Sequence, residues 1–115
     1  MKLLIVEDNL PMRRMIRRVV ADLADEISEC SDGAEALDAY SEFRPDWVLM
    51  DIEMPRLDGL TATRRIRADF PDAQIVMITQ YDDVVLRAAA HEAGACAYVL
   101  KENLLDVRRL LRPVA

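Results

Sequence analysis

Five residues stand out for what their side chains could do together: Glu7, Asp8, Asp51, Thr79 and Lys101. Crowded carboxylates repel one another unless a cation joins them. Their hard oxygens suit Mg²⁺, which keeps several waters and takes one or two carboxylates plus phosphate oxygens. Neither His nor Cys is adjacent to these positions, so a zinc site is not supported. A hydroxyl such as Thr79 and an ammonium such as Lys101 would hold the other oxygens of a phosphoryl group. A carboxylate placed beside a metal and a lysine is a nucleophile toward phosphorus and gives an acyl phosphate. No Gly-rich phosphate loop is present, so bound nucleotide is not expected. The bland alternative is a set of solvated loop charges.

These residues lie far apart in sequence, so something must bring them to one place. Residues 3–6, 47–50, 75–78 and 96–100 are short apolar runs of the kind that form buried strands, and a further short strand is expected near 27–30. Between them run segments with helical spacing. Met12, Met15, Ile16, Val19, Val20 and Leu23 form one stripe, with Pro11 in the first turn. Asp32 reads as an N-cap with Glu35 as its capping-box partner, opening a helix through Phe43 that Pro45-Asp46 stops. Residues 52–59 form a loop with Pro55 and an Asp58-Gly59 turn signal. Helices follow at 60–68, at 84–92 with Gly94 as a left-handed cap, and at 104–111. Five strands alternating with five helices predict an α/β fold. It is a doubly wound, five-stranded parallel sheet with right-handed crossovers, in one domain over residues 1–115. In such a sheet ligands bind beyond the carboxyl ends of the strands, near the point where strand order reverses. Glu7-Asp8, Asp51, Thr79 and Lys101 end the first, third, fourth and fifth strands.

Composition narrows the function. A formal charge of -6 and a pI of about 4.7 argue against direct nucleic-acid binding. No uncharged stretch approaches the ~20 residues of a membrane span, and no leader pattern opens the chain, so a cytoplasmic location is expected. In a 2-1-3-4-5 sheet Cys30 and Cys96 would lie on opposite edges, too far apart for a disulfide, and both read as small core hydrophobes. Arg13, Arg14, Arg17 and Arg18 line the outer face of the first helix, either solvated or docking an acidic partner. Arg64, Arg65 and Arg67 read as solubilising charges, and His91 as a surface residue.

Several stretches, taken in order, resemble the receiver domain of two-component response regulators over essentially the whole length. They are Leu3-Leu4-Ile5-Val6-Glu7-Asp8, Asp32-Gly33-Ala34-Glu35-Ala36-Leu37, and Pro45-Asp46-Trp47-Val48-Leu49-Met50-Asp51-Ile52-Glu53-Met54-Pro55. Asp58-Gly59-Leu60, Ile78-Thr79 and Ala93-Gly94-Ala95, leading to Tyr98-Val99-Leu100-Lys101, complete the set. The resemblance implies a flavodoxin-like (βα)5 fold of order 2-1-3-4-5. Asp51 would accept a phosphoryl group from the phosphohistidine of a sensor histidine kinase or a histidine phosphotransfer domain. Asp8, Asp51 and the main-chain carbonyl of Glu53 would bind Mg²⁺, with Glu7 acting through a water. Thr79 and Lys101 would contact the phosphoryl group, and Tyr98 would turn inward as Thr79 moves. No activity on external substrates is expected, only self-directed phosphotransfer and autodephosphorylation.

Two departures stand out: Glu102 follows Lys101 where many receivers have Pro, and Gln80 follows Thr79 where a small residue is frequent. Without Pro, the Lys101–Glu102 peptide is expected to be trans. The ending around Lys101, with Tyr81-Asp82-Asp83 after the fourth strand, resembles receivers that precede a helix-turn-helix DNA-binding domain. Pro113-Val114-Ala115 reads as the start of a linker to it. Phosphorylation would then control transcription, with homodimerisation one route. The rivals are a stand-alone receiver that relays phosphate or docks on a target, a phosphorylation-independent binding module, and an Mg²⁺-dependent phosphatase. For the last, 115 residues leave no room for a cap.

Overall fold

A computed structural model describes residues 1–111. Its strands are β1 (Lys2–Val6), β2 (Glu26–Cys30), β3 (Trp47–Asp51), β4 (Ile75–Thr79) and β5 (Ala97–Leu100). All neighbours pair in parallel in the order β2-β1-β3-β4-β5, as the sequence predicts. Alternate side chains of the central strands face opposite layers. Leu4, Val6, Val48, Met50, Ile75 and Met77 belong to one core, and Leu3, Ile5, Leu49, Val76 and Ile78 to the other. Burial on both faces is why these strands read as unbroken apolar runs. Trp47 opens β3, half-buried, and pairs with Leu3 across the sheet.

The helices are α1 (Leu10–Val20), α2 (Gly33–Phe43), α3 (Gly59–Asp69), α4 (Val84–Ala93) and α5 (Asp106–Leu110). Helices α2, α3 and α4 cover the first core through Ala36, Tyr40, Ala62, Ile66 and Ala90. The second is covered by α1 and α5, through Ile16, Val20 and Val107. Asn9, Asp32, Asp58 and Asp83 cap the first four helices, each accepting from a backbone N–H three residues on. Gly94 is left-handed at φ 105, as expected.

Several expectations need correction. Glu35 does not close a capping box on Asp32; its carboxylate accepts from the Ser31 amide at 3.2 Å and faces the Ser31 hydroxyl. The residue that ends α2 is Arg44, in the left-handed region at φ 50, ahead of Pro45-Asp46. The stripe ending at Leu23 finishes as a 3₁₀ turn (Ala21–Leu23). A single last helix over 104–111 is not formed. Lys101–Asn103 make a 3₁₀ turn as the chain leaves β5, and five residues follow as α5. Leu104, Val107 and Leu111 still reach the core, so their spacing recorded a buried face rather than helix length. Arg112 and the linker reading at 113–115 lie outside the described residues.

Among the described residues no peptide is cis, the Lys101–Glu102 bond included, and no helix is long and apolar enough to cross a membrane. Both cysteines are free: Cys30 is buried, its thiol pushed up to about 11 by burial, but Cys96 is exposed. Cys96 precedes the edge strand β5 and is exposed, and so is not a core residue. Arg13 and Arg17 do more than solvate α1, holding the Glu29 carboxylate of β2 at 3.1 and 2.8 Å. Arg67 ties the end of α3 to the carbonyls of Pro71 and Ala73. Arg64, Arg65 and His91 are exposed as expected.

Candidate functional site

The carboxyl ends of β1, β3, β4 and β5 surround a cleft of ≈ 350 Å³ lined by Glu7, Asp8, Asp51, Glu53, Thr79 and Lys101. Parallel pairing puts these ends on one edge, and each side chain comes from the last strand residue or the first ones beyond it. Glu7, Asp8 and Asp51 offer oxygens that all lie within 4.8 Å of one another. Glu7 and Asp51 are buried and Asp8 is exposed. Lys101 Nζ sits between the two buried acids, 2.8 Å from Glu7 Oε1 and 3.2 Å from Asp51 Oδ1. Thr79 is 2% exposed at the end of β4, where its Oγ1 accepts from the Tyr81 amide at 3.2 Å.

The electrostatics follow from this crowding. Burial, then the Glu7 carboxylate, pushes Asp51 up to about 8, with Lys101 opposing. Burial pulls Lys101 down, but the adjacent Glu7 and Asp51 carboxylates outweigh it, so its pKa is raised. One ammonium cannot balance three carboxylates. Glu7 Oε2 accepts from the Asn9 amide at 3.2 Å, but Oε1 is buried with no donor aimed at it in hydrogen-bond geometry, despite the nearby Lys101. An under-satisfied buried carboxylate oxygen, an all-oxygen donor set and surplus negative charge fit a hard divalent cation.

Tyr98 is half-buried against the first core, and its hydroxyl donates to the Tyr81 carbonyl at 2.5 Å. The Arg87 guanidinium lies 4.4 Å from the centre of its ring. Through Tyr81, whose amide donates to Thr79 and whose carbonyl accepts from Tyr98, the two residues are linked by one peptide segment.

A family model described as the response regulator receiver domain matches residues 3–113. The chain belongs to that family. Response regulator MprA of Mycobacterium avium (strain 104) is 38% identical over 117 residues, covering 97% of this chain and 51% of that protein. The chain thus spans about half the length of the curated relatives it matches. A two-component response regulator of the LuxR family from Aurantimonas sp. has a similar structure, with TM-score 0.85 and 30% identity, covering 96% of this chain and 84% of that one. A DNA-binding response regulator of the LuxR family from Staphylococcus aureus shares the fold, with TM-score 0.85 at 24% identity over 96% of this chain and 98% of that one.

This receiver brings Glu7, Asp8, Asp51, Glu53, Thr79 and Lys101 to one edge of the sheet, whereas Tyr98, inside β5, does not line the cleft. Other residues at its rim are not obvious from the sequence. Asn9, Met12, Gln80 and Tyr81 also line the cleft, and Tyr81 Oη donates to Glu53 Oε2 at 3.3 Å across its mouth. Tyr81 lies two residues past a strand end, and Asn9 is a cap ahead of Pro11. Extending the strand-end rule by two residues would have found both.

Proposed function

We propose that this receiver accepts a phosphoryl group on Asp51 from the phosphohistidine of a sensor kinase or phosphotransfer domain, with Mg²⁺ as cofactor. The observation that carries the reading is Lys101 Nζ held between Asp51 and Glu7, with Asp8 in the same cleft. Asp8, Asp51 and the Glu53 carbonyl would hold the ion, and Glu7 would act through a water. The ion would supply charge neutralisation for the transferring oxygens. In the transfer, an Asp51 carboxylate oxygen bonds to phosphorus as the phosphorus–nitrogen bond to the donor imidazole breaks. Lys101 would hold one phosphoryl oxygen by a charge-assisted hydrogen bond and Thr79 would donate its hydroxyl to another. Drawing Thr79 inward would release the Tyr81 amide and let Tyr98 change its seat, shifting a pre-existing equilibrium. A DNA-binding output domain on a longer chain, controlled through homodimerisation, fits relatives twice this length. The receiver would itself bind neither nucleic acid nor membrane and would work in the cytoplasm.

Mass spectrometry after incubation with acetyl phosphate and Mg²⁺ tests the reading. A single adduct of about 80 Da, the mass of one phosphoryl group, is expected on the wild type and absent from Asp51→Asn. Labelling of Asp51→Asn at the wild-type rate would defeat the assignment, and turnover of the donor without an adduct would favour a phosphatase.

A further inference from the structure

The loop between β3 and α3 runs from Ile52 to Asp58 and carries Glu53 on the rim of the cleft. Three residues on, Arg56 has a φ of 65, a left-handed conformation that strains a side chain with a Cβ. Glycine or asparagine would adopt it more readily. What the arginine gains there is a partner. Its Nη2 lies 2.6 Å from Asp32 Oδ2, and the Asp32 side chain is 2% exposed. The other oxygen, Oδ1, accepts from the Glu35 amide at 2.8 Å and caps α2. Both faces of this buried carboxylate are therefore committed, one to a helix and one to the loop. A second tie runs in parallel, from the Gly33 amide to the Leu57 carbonyl at 3.1 Å. The approach is close: a Cβ on Gly33 would lie 2.3 Å from that carbonyl oxygen. The loop also folds on itself, with Leu57 N donating to Pro55 O at 2.7 Å and Gly59 N to Ile52 O at 2.8 Å.

We propose that Asp32 and Arg56 are positioning residues for the metal site, an ion pair that fixes this loop and thereby holds Glu53 where its main chain can serve the cleft. Neither residue lines the cleft, so the pair acts through loop geometry. The inference rests on the receiver reading above, in which the Glu53 carbonyl is a metal ligand. Outer contacts of this kind govern how well a ligand is oriented and so set metal affinity. An exposed arginine on a buried carboxylate also makes the effect sensitive to salt.

Titration of the full chain with Mg²⁺ by calorimetry reads the effect directly. Arg56→Ala and Asp32→Asn are each expected to weaken binding by roughly three- to tenfold. Asparagine retains an oxygen able to cap α2, so helix loss is not the cause. The double variant should be no weaker than either single one, and Arg56→Lys should recover most of the loss. Arg56→Gly relaxes the backbone while deleting the charge, and should bind as weakly as Arg56→Ala. In acetyl phosphate labelling, the Mg²⁺ concentration giving half-maximal rate should rise by the same factor, with the rate at saturation unchanged. General loosening of the fold would lower both. In the metal-free chain, the Gly33 amide should exchange hydrogen faster in Arg56→Ala than in wild type.

Wild-type affinity in both Arg56→Ala and Asp32→Asn would overturn the clamp, as would full recovery by Arg56→Gly. A wild-type chain that binds Mg²⁺ but never gains an adduct would sink the phosphoryl reading alone, leaving the affinities to decide the clamp. No Mg²⁺ binding by the wild type would sink both.

Discussion

A carboxylate must be ionised to attack phosphorus, yet burial and Glu7 push Asp51 up to about 8. The unfolded chain would release that proton near pH 4. Between about pH 4 and 8 the native state therefore binds a proton that the unfolded state does not. The stability this contributes is complete below pH 4 and is lost as pH rises through 8. Asp51→Asn lacks that slope. Its melting temperature should match wild type near pH 4.5 and exceed it increasingly up to pH 8.5. The cleft is open to water, which screens the penalty, so the gain at pH 8.5 is on the order of 2 kcal/mol. Parallel pH profiles for the two proteins would show that Asp51 is ionised throughout. At this scale the sequence revealed the acids, Thr79 and Lys101 because each ends an apolar run. It hid Tyr81 and Arg56, since a polar residue in a loop reads the same whether it is solvated or buried against a partner. The Asp32–Arg56 pair spans 24 positions and leaves no local pattern.

Elements fix those residues through backbone contacts as much as through side chains. The start of α3 is pressed against the end of β3, and a Cβ on Gly59 would lie 1.9 Å from the Asp51 carbonyl oxygen. That neighbour is backbone in the centre of the sheet and cannot swing aside. Gly59→Ala is expected to destabilise the chain by about 2–3 kcal/mol in urea unfolding. Because relief must come from moving Asp51 or Ile52, labelling should fall even where the variant is fully folded. Wild-type labelling by folded Gly59→Ala would mean that the strand end tolerates displacement. All ten main elements were legible, because the central strands, buried on both faces, read as continuous apolar runs and the helices as stripes. Their ends were less so. Leu104, Val107 and Leu111 follow helical spacing although α5 begins only at Asp106. The chain turning out of β5 needs a 3₁₀ turn that periodicity does not record. Glu35 serves Ser31 instead of Asp32, a choice between two adjacent amides that residue spacing does not record.

At the scale of the whole molecule, one sheet separates two cores, and every central strand contributes to both. Removing the helices of either face would bare the strands that support the other, so no half can persist alone. The chain is expected to unfold as a single autonomous domain. Far-UV circular dichroism and hydrodynamic radius should give coincident urea transitions. A separate, earlier transition in one probe would mean that α1 and α5 detach before the rest. Parallel strands with helices on both faces were legible from the alternation of elements, the order of the strands came from the resemblance to receivers, and a partner's identity is written on no single residue. Trp47, the only tryptophan, starts the strand that Asp51 ends, which separates them by roughly 13 Å at about 3.3 Å per residue. Its emission should therefore respond to denaturation but stay nearly constant during metal binding and labelling. Tyr81 lines the cleft instead, and Tyr98 is hydrogen-bonded to its carbonyl. Optical assays of occupancy in this receiver need tyrosine or an attached dye, while intrinsic fluorescence remains an uncontaminated gauge of folding.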